Sequence, residues 1–398
     1  MLESPQSHPA PQSHLCQFVE GEGMVGGLTP EAAEVGTKGP LAIAVRLRQP
    51  LIILVCGKQK RTLTICLNPP IFSCPKESQL PKLRDYWRVK SIFHVPYPKK
   101  VMSRDRFLSI TWNMHLSDPA EDAANDRKKG TEYDCLHRIR PLYDSLRVAC
   151  KAVYHPDKNL SVDERMVATK ARISLKQYIK NKPTKWGIKL FVLCESSGYT
   201  VDFNIYTGKS NVVSGKGLSF DAVMSLVRKE FLGSGYHIYC DNFYTSPVLF
   251  QHLYDLGFGA CRTIRDTRIG VPKTKVNALT KKSPRGSIRW IREGSLLFTK
   301  WMDTCEVSVC TTLHTAYSGD TVKRVCKSSS GCKNVDVPVP TAVKDYNHFM
   351  GGVDLSDQLI GYYSSWKKSR KWYMTVLHHF IDIAVTNSYC VAAERSSP

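Results

Sequence analysis

Strongly apolar and alternating segments in the middle of the chain predict a sheet. Gly187 to Cys194 is apolar on both faces, which is typical of a central strand covered on both sides. Tyr199 to Ile205 alternates apolar and polar residues behind a turn, which predicts a half-buried hairpin partner. Tyr236 to Cys240 predicts a third strand. Leu296 to Trp301 and Glu306 to Leu313 predict later ones.

Apolar residues at helical spacing lie between these strands. Ser219 precedes an apolar stripe that closes at Gly233, which predicts a capped amphipathic helix. Ser246 with Pro247 begins a second helix that ends at Gly257. The order strand, strand, helix, strand, helix predicts an α/β fold class.

The two ends of the chain have a different pattern. Pro, Ser, Gly and His are frequent before Leu80, so we expect residues 1–79 to be poorly defined and disordered. Helical spacing then predicts a helical region that ends at Tyr154, with Ser103 as one helix start. Two further helices are predicted from Leu355 and from Trp372.

The charge balance changes this picture from an ordinary α/β protein to one with a polyanionic partner. Lys and Arg total 56 against 35 Asp and Glu, a formal net charge of +21. Such an excess attracts nucleic acid over long distances. A basic surface for solubility or for anionic membranes is the alternative. No stretch approaches the roughly 20 apolar residues of a membrane span. With nucleic acid as the expected partner, we expect no membrane association and no small-molecule substrate.

The cysteines do not suggest a disulfide scaffold or a zinc site. The 14 cysteines include the pairs Cys305/Cys310 and Cys326/Cys332, whose spacing is wider than in structural zinc knuckles. Met1 to Ala10 lacks the basic start and apolar run of a signal peptide. We therefore expect a reducing compartment and no zinc.

Basic segments are the candidate nucleic-acid contacts. Arg262 to Arg292 carries many cations and a single acid, which is typical of a phosphate-tracking loop or of a solvated basic loop. Lys281 to Arg285 also resembles a weak nuclear signal, so we expect a nuclear protein. The candidate contacts are Lys182, Lys185, Arg268, Lys273, Lys275, Lys281, Lys282, Arg285, Lys367, Lys368 and Arg370.

Acidic residues follow the predicted strands and begin a predicted helix. Glu195 and Asp241 each close a strand, and Asp354 lies at a helix start with Asp357 three residues later on the same face. Carboxylates at the ends of adjacent strands can converge to bind two Mg²⁺ or Mn²⁺ ions at a scissile phosphate. The alternative is that these acids only cap helices.

Three of these acids lie in two motifs that resemble the piggyBac transposases and their domesticated derivatives. The motifs are Asp241-Asn242-Phe243-Tyr244-Thr245-Ser246 and Met350-Gly351-Gly352-Val353-Asp354-Leu355-Ser356-Asp357-Gln358. Lys182 to Lys189 is similar to the segment that leads into the first catalytic strand, and the similarity covers roughly Leu80 to Cys390. The resemblance implies a DDE/D transposase. Its expected parts are a ribonuclease H-like core with an inserted domain and flanking helices that dimerise and bind double-stranded DNA. It also implies hairpin DNA intermediates and joining at TTAA sites.

Carried over residue by residue, the resemblance assigns Asp241 as the second catalytic acid, Asp354 as the third and Asp357 as a further acid. Glu195 occupies the position expected for the first acid, where the family has Asp. The longer side chain displaces the carboxylate by about a bond length, and a misplacement of one ångström costs about 100-fold in rate. We therefore expect Glu195, Asp241 and Asp354 to bind metal while DNA cleavage is impaired.

Three alternatives remain open from the sequence. The chain is either an active transposase, a domesticated non-catalytic protein that binds DNA or chromatin, or an inert remnant. The family's terminal cysteine-rich zinc domain has no counterpart before Pro398, which favours a truncated or domesticated copy. The expected organisation is 1–79 poorly defined, 80–160 helical dimerisation and DNA-binding region, 161–264 first part of the core, 265–345 basic insertion and 346–398 end of the core.

Overall fold

The computed structural model describes most of the chain beyond residue 80 and a smaller part before it. The described residues are 41–46, 51–56, 61–66, 80, 83–89, 96–128, 130, 132–208, 214–244, 246–272, 278–328, 331–362, 364, 369 and 371–395. All of them belong to one compact unit, residues 39–398.

A small antiparallel sheet lies in the region where the sequence predicted no regular structure. Its strands are β1 (Leu41–Arg46), β2 (Leu51–Cys56) and β3 (Arg61–Cys66), in the order β1-β2-β3. Leu51 to Cys56 is a continuous apolar run, and such a short run is compatible with a buried strand. The prediction for residues 1–40 and 67–79 lies outside the described residues.

Four helices precede the main sheet, as the helical spacing predicted. They are α1 (Pro96–Val101), α2 (Arg104–Asn113), α3 (Pro119–Arg127) and α4 (Arg140–Val153). Ser103 caps α2 by accepting a hydrogen bond from the Arg106 amide, which confirms the predicted helix start. Helix α4 buries Leu142, Tyr143 and Leu146 on one face, and so it can pack against a sheet.

The central sheet has nine strands and combines antiparallel with parallel pairs. The strands are β4 (Asn159–Ala168), β5 (Lys176–Tyr178), β6 (Trp186–Glu195), β7 (Thr200–Ile205), β8 (His237–Cys240), β9 (Gly259–Thr263), β10 (Ile288–Glu293), β11 (Leu296–Met302) and β12 (Glu306–Thr311). Their order is β10-β11-β12-β9-β8-β4-β6-β5, with β7 also paired to β6. The pairs β4–β8 and β8–β9 are parallel.

Helices cover both faces of this sheet. They are α5 (Leu218–Leu226), α6 (Lys229–Leu232), α7 (Pro247–Asp255), α8 (Thr341–Phe349), α9 (Gly352–Tyr362) and α10 (Trp372–Arg395). One apolar core joins α4, α9 and α10 to one face of β6, and a second joins α5 and α7 to the other face. This two-sided cover explains why β6 is apolar on both faces over most of its length.

One predicted helix differs from the observed elements. The helix predicted after Ser219 is divided into α5 and α6 by Val227 and Arg228, and its N-cap is Gly217.

The region 265–345, predicted as a basic insertion, contributes β10 to β12, which continue the central sheet through the β12–β9 pair. Among its described residues, β13 (Thr321–Ser328) and β14 (Gly331–Pro338) form a hairpin apart from the central sheet.

Helix α10 is the longest helix among the described residues. Within that part of the chain, no helix combines the length and apolar character needed to cross a membrane.

Candidate active site

The register of β4 and β8 places two aspartates side by side at the centre of the sheet. The last parallel pair is Val162 with Cys240, so the next residues, Asp163 and Asp241, are neighbours where β8 ends. Adjacent strands are about 4.8 Å apart, and paired residues face the same side of a sheet. Asp163 and Asp241 therefore project from the same face at neighbouring positions.

Helix α9 brings a third carboxylate to this face. Asp354 lies in the first turn of α9, whose N-terminus packs against the ends of β4 and β6. Gly352 lies so close to β4 and β6 that an added Cβ would lie against the Glu195 carbonyl oxygen and 2.6 Å from Ser161 Oγ. Because Ser161 and Asp163 share one face of β4, Asp354 enters on the side of the other two acids.

The surroundings of Asp163 favour its protonated form. Burial raises the pKa of Asp163 from 3.8 to about 6, and the negative charges of Asp241 and Asp354 add to the rise. Lys182 opposes the rise with its Nζ 3.6 Å from Asp163 Oδ2. The other oxygen, Oδ1, is buried without a hydrogen-bond partner. A half-compensated, desolvated carboxylate of this kind favours binding of a cation.

Glu195 does not converge with these acids, and this part of the sequence prediction was wrong. Glu195 pairs with Leu160, whereas Asp163 pairs with Val192. Leu160 and Asp163 are three positions apart on β4, so Glu195 points to the opposite face about 10 Å along the strand. Asp241 follows its strand and Asp354 begins its helix as predicted.

The Glu195 carboxylate instead stabilises the connection into β4. It accepts hydrogen bonds from the Asp157 amide at 2.8 Å, the Tyr154 hydroxyl at 3.2 Å and the Ser197 hydroxyl at 2.9 Å. With only 2% of the residue exposed, these donors compensate for its burial. Burial raises the pKa of the Tyr154 hydroxyl, and the charge of Glu195 raises it further.

The carboxylate of Asp357, the fourth predicted acid, is already paired with an arginine. It forms an ion pair with Arg165, which lies two residues beyond Asp163 on β4 and is 2% exposed. Arg165 also donates from Nη1 to the Thr200 hydroxyl at 3.5 Å. Since Asp357 lies one turn after Asp354, this pair fixes α9 on the sheet and thereby the position of Asp354.

A second buried arginine fixes the segment that follows Asp241. Arg262 on β9 is fully buried and donates to the Asn242 side-chain oxygen at 2.9 Å. Burial lowers its pKa to about 10. Arg268, predicted to contact nucleic acid, donates to the Asn242 carbonyl at 3.1 Å. Arg268 therefore has a structural contact beside the site.

The remaining predicted nucleic-acid residues have three different placements. Arg285 forms an ion pair with Asp303 at 2.5 Å, so its guanidinium has a partner within the protein. Lys182 is paired with Asp163 at the acid cluster, while Lys185, Lys281 and Lys282 are exposed. Lys273, Lys275, Lys367, Lys368 and Arg370 lie outside the described residues.

The donor set suits a hard divalent cation. Across the described part of the chain, no three acidic, histidine or cysteine side chains form a ready-made metal site. Mg²⁺ in proteins usually binds one or two carboxylates together with water and substrate phosphates, without a complete protein cage. The unpartnered buried oxygen of Asp163 and the neighbouring charges of Asp241 and Asp354 fit such an ion.

Asp163 was not among the site residues predicted from the sequence, although a signal for it was present. Residues 159–168 alternate apolar Leu160 and Val162 with polar Ser161 and Asp163, which is typical of a strand. Charged residues within an otherwise buried strand are uncommon unless they are paired or functional. The alternation and the acid together would have identified a central strand with a candidate site residue.

Gly352 provides a direct test of how α9 positions Asp354. We expect Gly352→Ala to push α9 away from β4 and β6, since its Cβ would meet backbone and the Ser161 hydroxyl. Overpacking of this kind costs about 1–3 kcal/mol, measurable as a lower urea midpoint of unfolding. Gly351→Ala is the matched control, because an added Cβ there meets nothing within 4 Å. Equal stabilities of the two variants would contradict the close approach.

Comparison with known proteins gives the family of the chain. The family model described as Transposase IS4 matches residues 76–389. Human PiggyBac transposable element-derived protein 3 is 28% identical over 319 residues, which cover 78% of this chain and 51% of that protein. Human PiggyBac transposable element-derived protein 2 is 28% identical over 320 residues, which cover 78% of this chain and 52% of that protein. The chain thus spans about half the length of these relatives.

A solved structure supports the same assignment. The piggyBac transposase in its synaptic complex with hairpin DNA matches with a TM-score of 0.64 and 25% identity, over 76% of this chain and 59% of that one. The mixed α/β fold is therefore similar to that of a piggyBac transposase. The chain belongs to the piggyBac-type transposase family.

Proposed function

We propose that the chain binds double-stranded DNA and carries a metal-dependent site for DNA cleavage and strand transfer, formed by Asp163, Asp241 and Asp354. The observation that carries this proposal is the placement of Asp163 and Asp241 at neighbouring positions of paired parallel strands, with Asp354 entering on the same face from α9. A structural acid would be expected to gain a full set of partners, whereas Asp163 keeps one buried oxygen unpaired.

The topology around these residues supports a ribonuclease H-like core. Strands β7, β6, β4, β8 and β9 are consecutive in the sheet, antiparallel on one side of β4 and parallel on the other. The three acids occupy the middle of β4, the end of β8 and the start of α9. The segment between Asp241 and Asp354 contains β10 to β14, in agreement with an insertion at that place.

The protein residues have distinct roles in the proposed site. Asp163, Asp241 and Asp354 would hold Mg²⁺ or Mn²⁺, which when bound activates the attacking oxygen and stabilises the leaving oxygen at the scissile phosphate. Lys182, 33% exposed in its side chain and beside Asp163, can move its ammonium to a DNA phosphate once a cation neutralises Asp163. Arg165 and Arg262 keep α9 and the Asn242 segment in place.

Asp357 is better described as a positioning residue than as a metal ligand. Its carboxylate is engaged by Arg165, and a guanidinium next to the carboxylate disfavours a second cation there. A DNA-bound homodimer in the nucleus is the setting that we propose for this activity. The basic charge of +21 and the synaptic DNA complex of the structural neighbour support the DNA-binding part.

The non-catalytic alternative loses its main argument. A domesticated DNA- or chromatin-binding protein was favoured because Glu195 stood in place of the first acid and because the terminal zinc domain had no counterpart. Glu195 lies on the opposite face of the sheet, and an aspartate, Asp163, stands beside Asp241. The substitution at 195 therefore no longer argues for impaired cleavage.

A cleavage assay on duplex DNA tests the proposal. We expect purified protein to bind duplex DNA with a steep salt dependence, and to nick or join it only when Mg²⁺ or Mn²⁺ is added. Chelation with EDTA is the control, and it should abolish cleavage but retain binding. Salt-dependent binding without any metal-dependent cleavage would establish the non-catalytic alternative.

A further inference from the structure

An exposed aromatic pair lies at the free edge of the central sheet. Tyr178 on β5 and Trp186 on β6 are cross-strand partners, and their ring centroids are 4.7 Å apart at an interplanar angle of 43°. They are 52% and 54% exposed. Large aromatic side chains are usually buried in a folded protein or used at an interface, so this exposed pair calls for a partner.

Cations surround the pair. Lys176 lies over the Trp186 ring, with Nζ 5.3 Å from the centroid. Lys180 and Lys185 are exposed in the loop that joins β5 to β6. The same loop carries Lys182, which reaches back to Asp163 at 3.6 Å and to the Glu164 carbonyl at 3.1 Å. Acidic side chains are absent from 170–186, so the surface complements a polyanion.

The pair and the proposed active site lie on one face of the sheet. On β6, Trp186 and Val192 have the same parity, and Val192 is the partner of Asp163. Trp186 and Val192 are six positions apart, which corresponds to about 20 Å along the strand. Lys182 belongs to the loop between Tyr178 and Trp186 and contacts Asp163, so the basic loop connects the aromatic pair with the acid cluster.

We propose that Tyr178 and Trp186 form a stacking platform for unpaired nucleotides of the DNA substrate, with the lysines of the β5–β6 loop holding the adjoining phosphates. This proposal rests on the proposed DNA-binding function and adds the class of DNA that the site selects. Exposed aromatic rings on a basic surface bind unpaired bases because every base has a π-face, whereas paired bases are already stacked.

A purely structural role for the pair is the competing explanation. Cross-strand aromatic pairs stabilise hairpins by a few tenths of a kcal/mol to about 1 kcal/mol. A structural pair would leave the preference between unpaired and paired DNA unchanged when it is removed. A stacking platform would change that preference selectively.

The experiment compares two probes with the full chain and with single variants. One probe is a blunt duplex, and the other is the same duplex with a single-stranded 3′ overhang that contains 2-aminopurine. Dissociation constants come from fluorescence anisotropy, and stacking on the platform is followed by quenching of 2-aminopurine. The variants are Trp186→Ala, Tyr178→Ala and the conservative Trp186→Phe. Tyr254→Ala is the matched control, since Tyr254 is 51% exposed on α7, next to Asp255 and outside the basic segments.

We expect the wild type to bind the overhang probe more tightly than the blunt duplex and to quench 2-aminopurine. Trp186→Ala and Tyr178→Ala should weaken overhang binding about 5- to 100-fold while blunt-duplex binding changes less than about twofold. Trp186→Phe should retain most of the preference, and Tyr254→Ala should leave it unchanged.

Equal weakening of both probes, or no weakening of either, would overturn the proposal and favour the structural role. Absence of any binding to the blunt duplex by wild type would instead refute the proposed DNA-binding function. If Trp186→Ala does not fold, photocrosslinking of wild-type protein to an overhang with 5-iodouracil decides the matter. Crosslinks that map to Tyr178 or Trp186 support the platform, and crosslinks elsewhere overturn it.

Discussion

Replacing Asp163 with Asn is expected to abolish metal-dependent DNA cleavage. Asp163 stands beside Asp241 on parallel strands and keeps a buried, unpaired carboxylate oxygen. The amide has the same shape but lacks the negative charge that a divalent cation requires. Because a bound metal ion contributes several kcal/mol to stabilisation of the transition state, the rate should fall by about 1,000-fold or more.

Glu195→Gln is the matched control for this variant. Glu195 accepts its hydrogen bonds outside the acid cluster, and the Gln side chain retains one acceptor oxygen. We expect its cleavage rate to remain within about tenfold of wild type, the effect of one neutral hydrogen bond. Isothermal titration with Mn²⁺ gives a second readout, in which Asp163→Asn loses binding and Glu195→Gln retains it. Retained cleavage and Mn²⁺ binding in Asp163→Asn, with their loss in Glu195→Gln, would restore the original assignment of the first acid.

The stability of Asp163→Asn relative to wild type is expected to depend on pH in the absence of metal. Folding raises the pKa of Asp163 from 3.8 to about 6, so the folded state binds this proton more tightly than the unfolded state. The stability contributed by this group is present below about pH 4 and is lost as the pH rises through 6. Relative to wild type, Asp163→Asn should therefore gain stability from pH 4 to 7, on the order of 2 kcal/mol. Urea unfolding at several pH values, with EDTA present, measures this difference.

Removal of Asp357 is expected to destabilise the protein more than removal of its partner, Arg165. The arginine is 2% exposed, whereas 42% of the Asp357 side chain is exposed. Asp357→Ala therefore leaves a buried, uncompensated cation, and such a change costs about 3–5 kcal/mol. His379 adds no second positive charge there, because burial and the charge of Arg165 lower its pKa to about 3.

Arg165→Met provides the matched comparison. The free Asp357 carboxylate can return to water, and methionine fills much of the arginine's volume, so we expect a loss of about 1–2 kcal/mol at most. The urea midpoint of the double variant Arg165→Met/Asp357→Ala should be close to that of Arg165→Met and well above that of Asp357→Ala. A larger loss for Arg165→Met than for Asp357→Ala would show that the pair is not what holds α9.

Much of the local structure follows from the sequence pattern alone. The apolar run of β6, the alternation of β7, the Pro247 start of α7 and the serine cap of α2 each have a local cause. The sequence also located Asp241 at a strand end and Asp354 at a helix start, because both lie in short motifs with characteristic turn and helix signals. Periodicity and capping are properties of neighbouring residues, and so they are visible without the fold.

Which acids meet was decided only by the tertiary structure. Glu195 and Asp163 are 32 residues apart in sequence and belong to paired strands, and the choice between them depends on the register of β4 with β6 and β8. A shift of one residue would move each side chain to the other face of the sheet. Local sequence determined that acids follow two of the strands and begin a helix. The pairing between distant strands and the close packing of Gly352 determined which of these acids lie together on one face of the sheet.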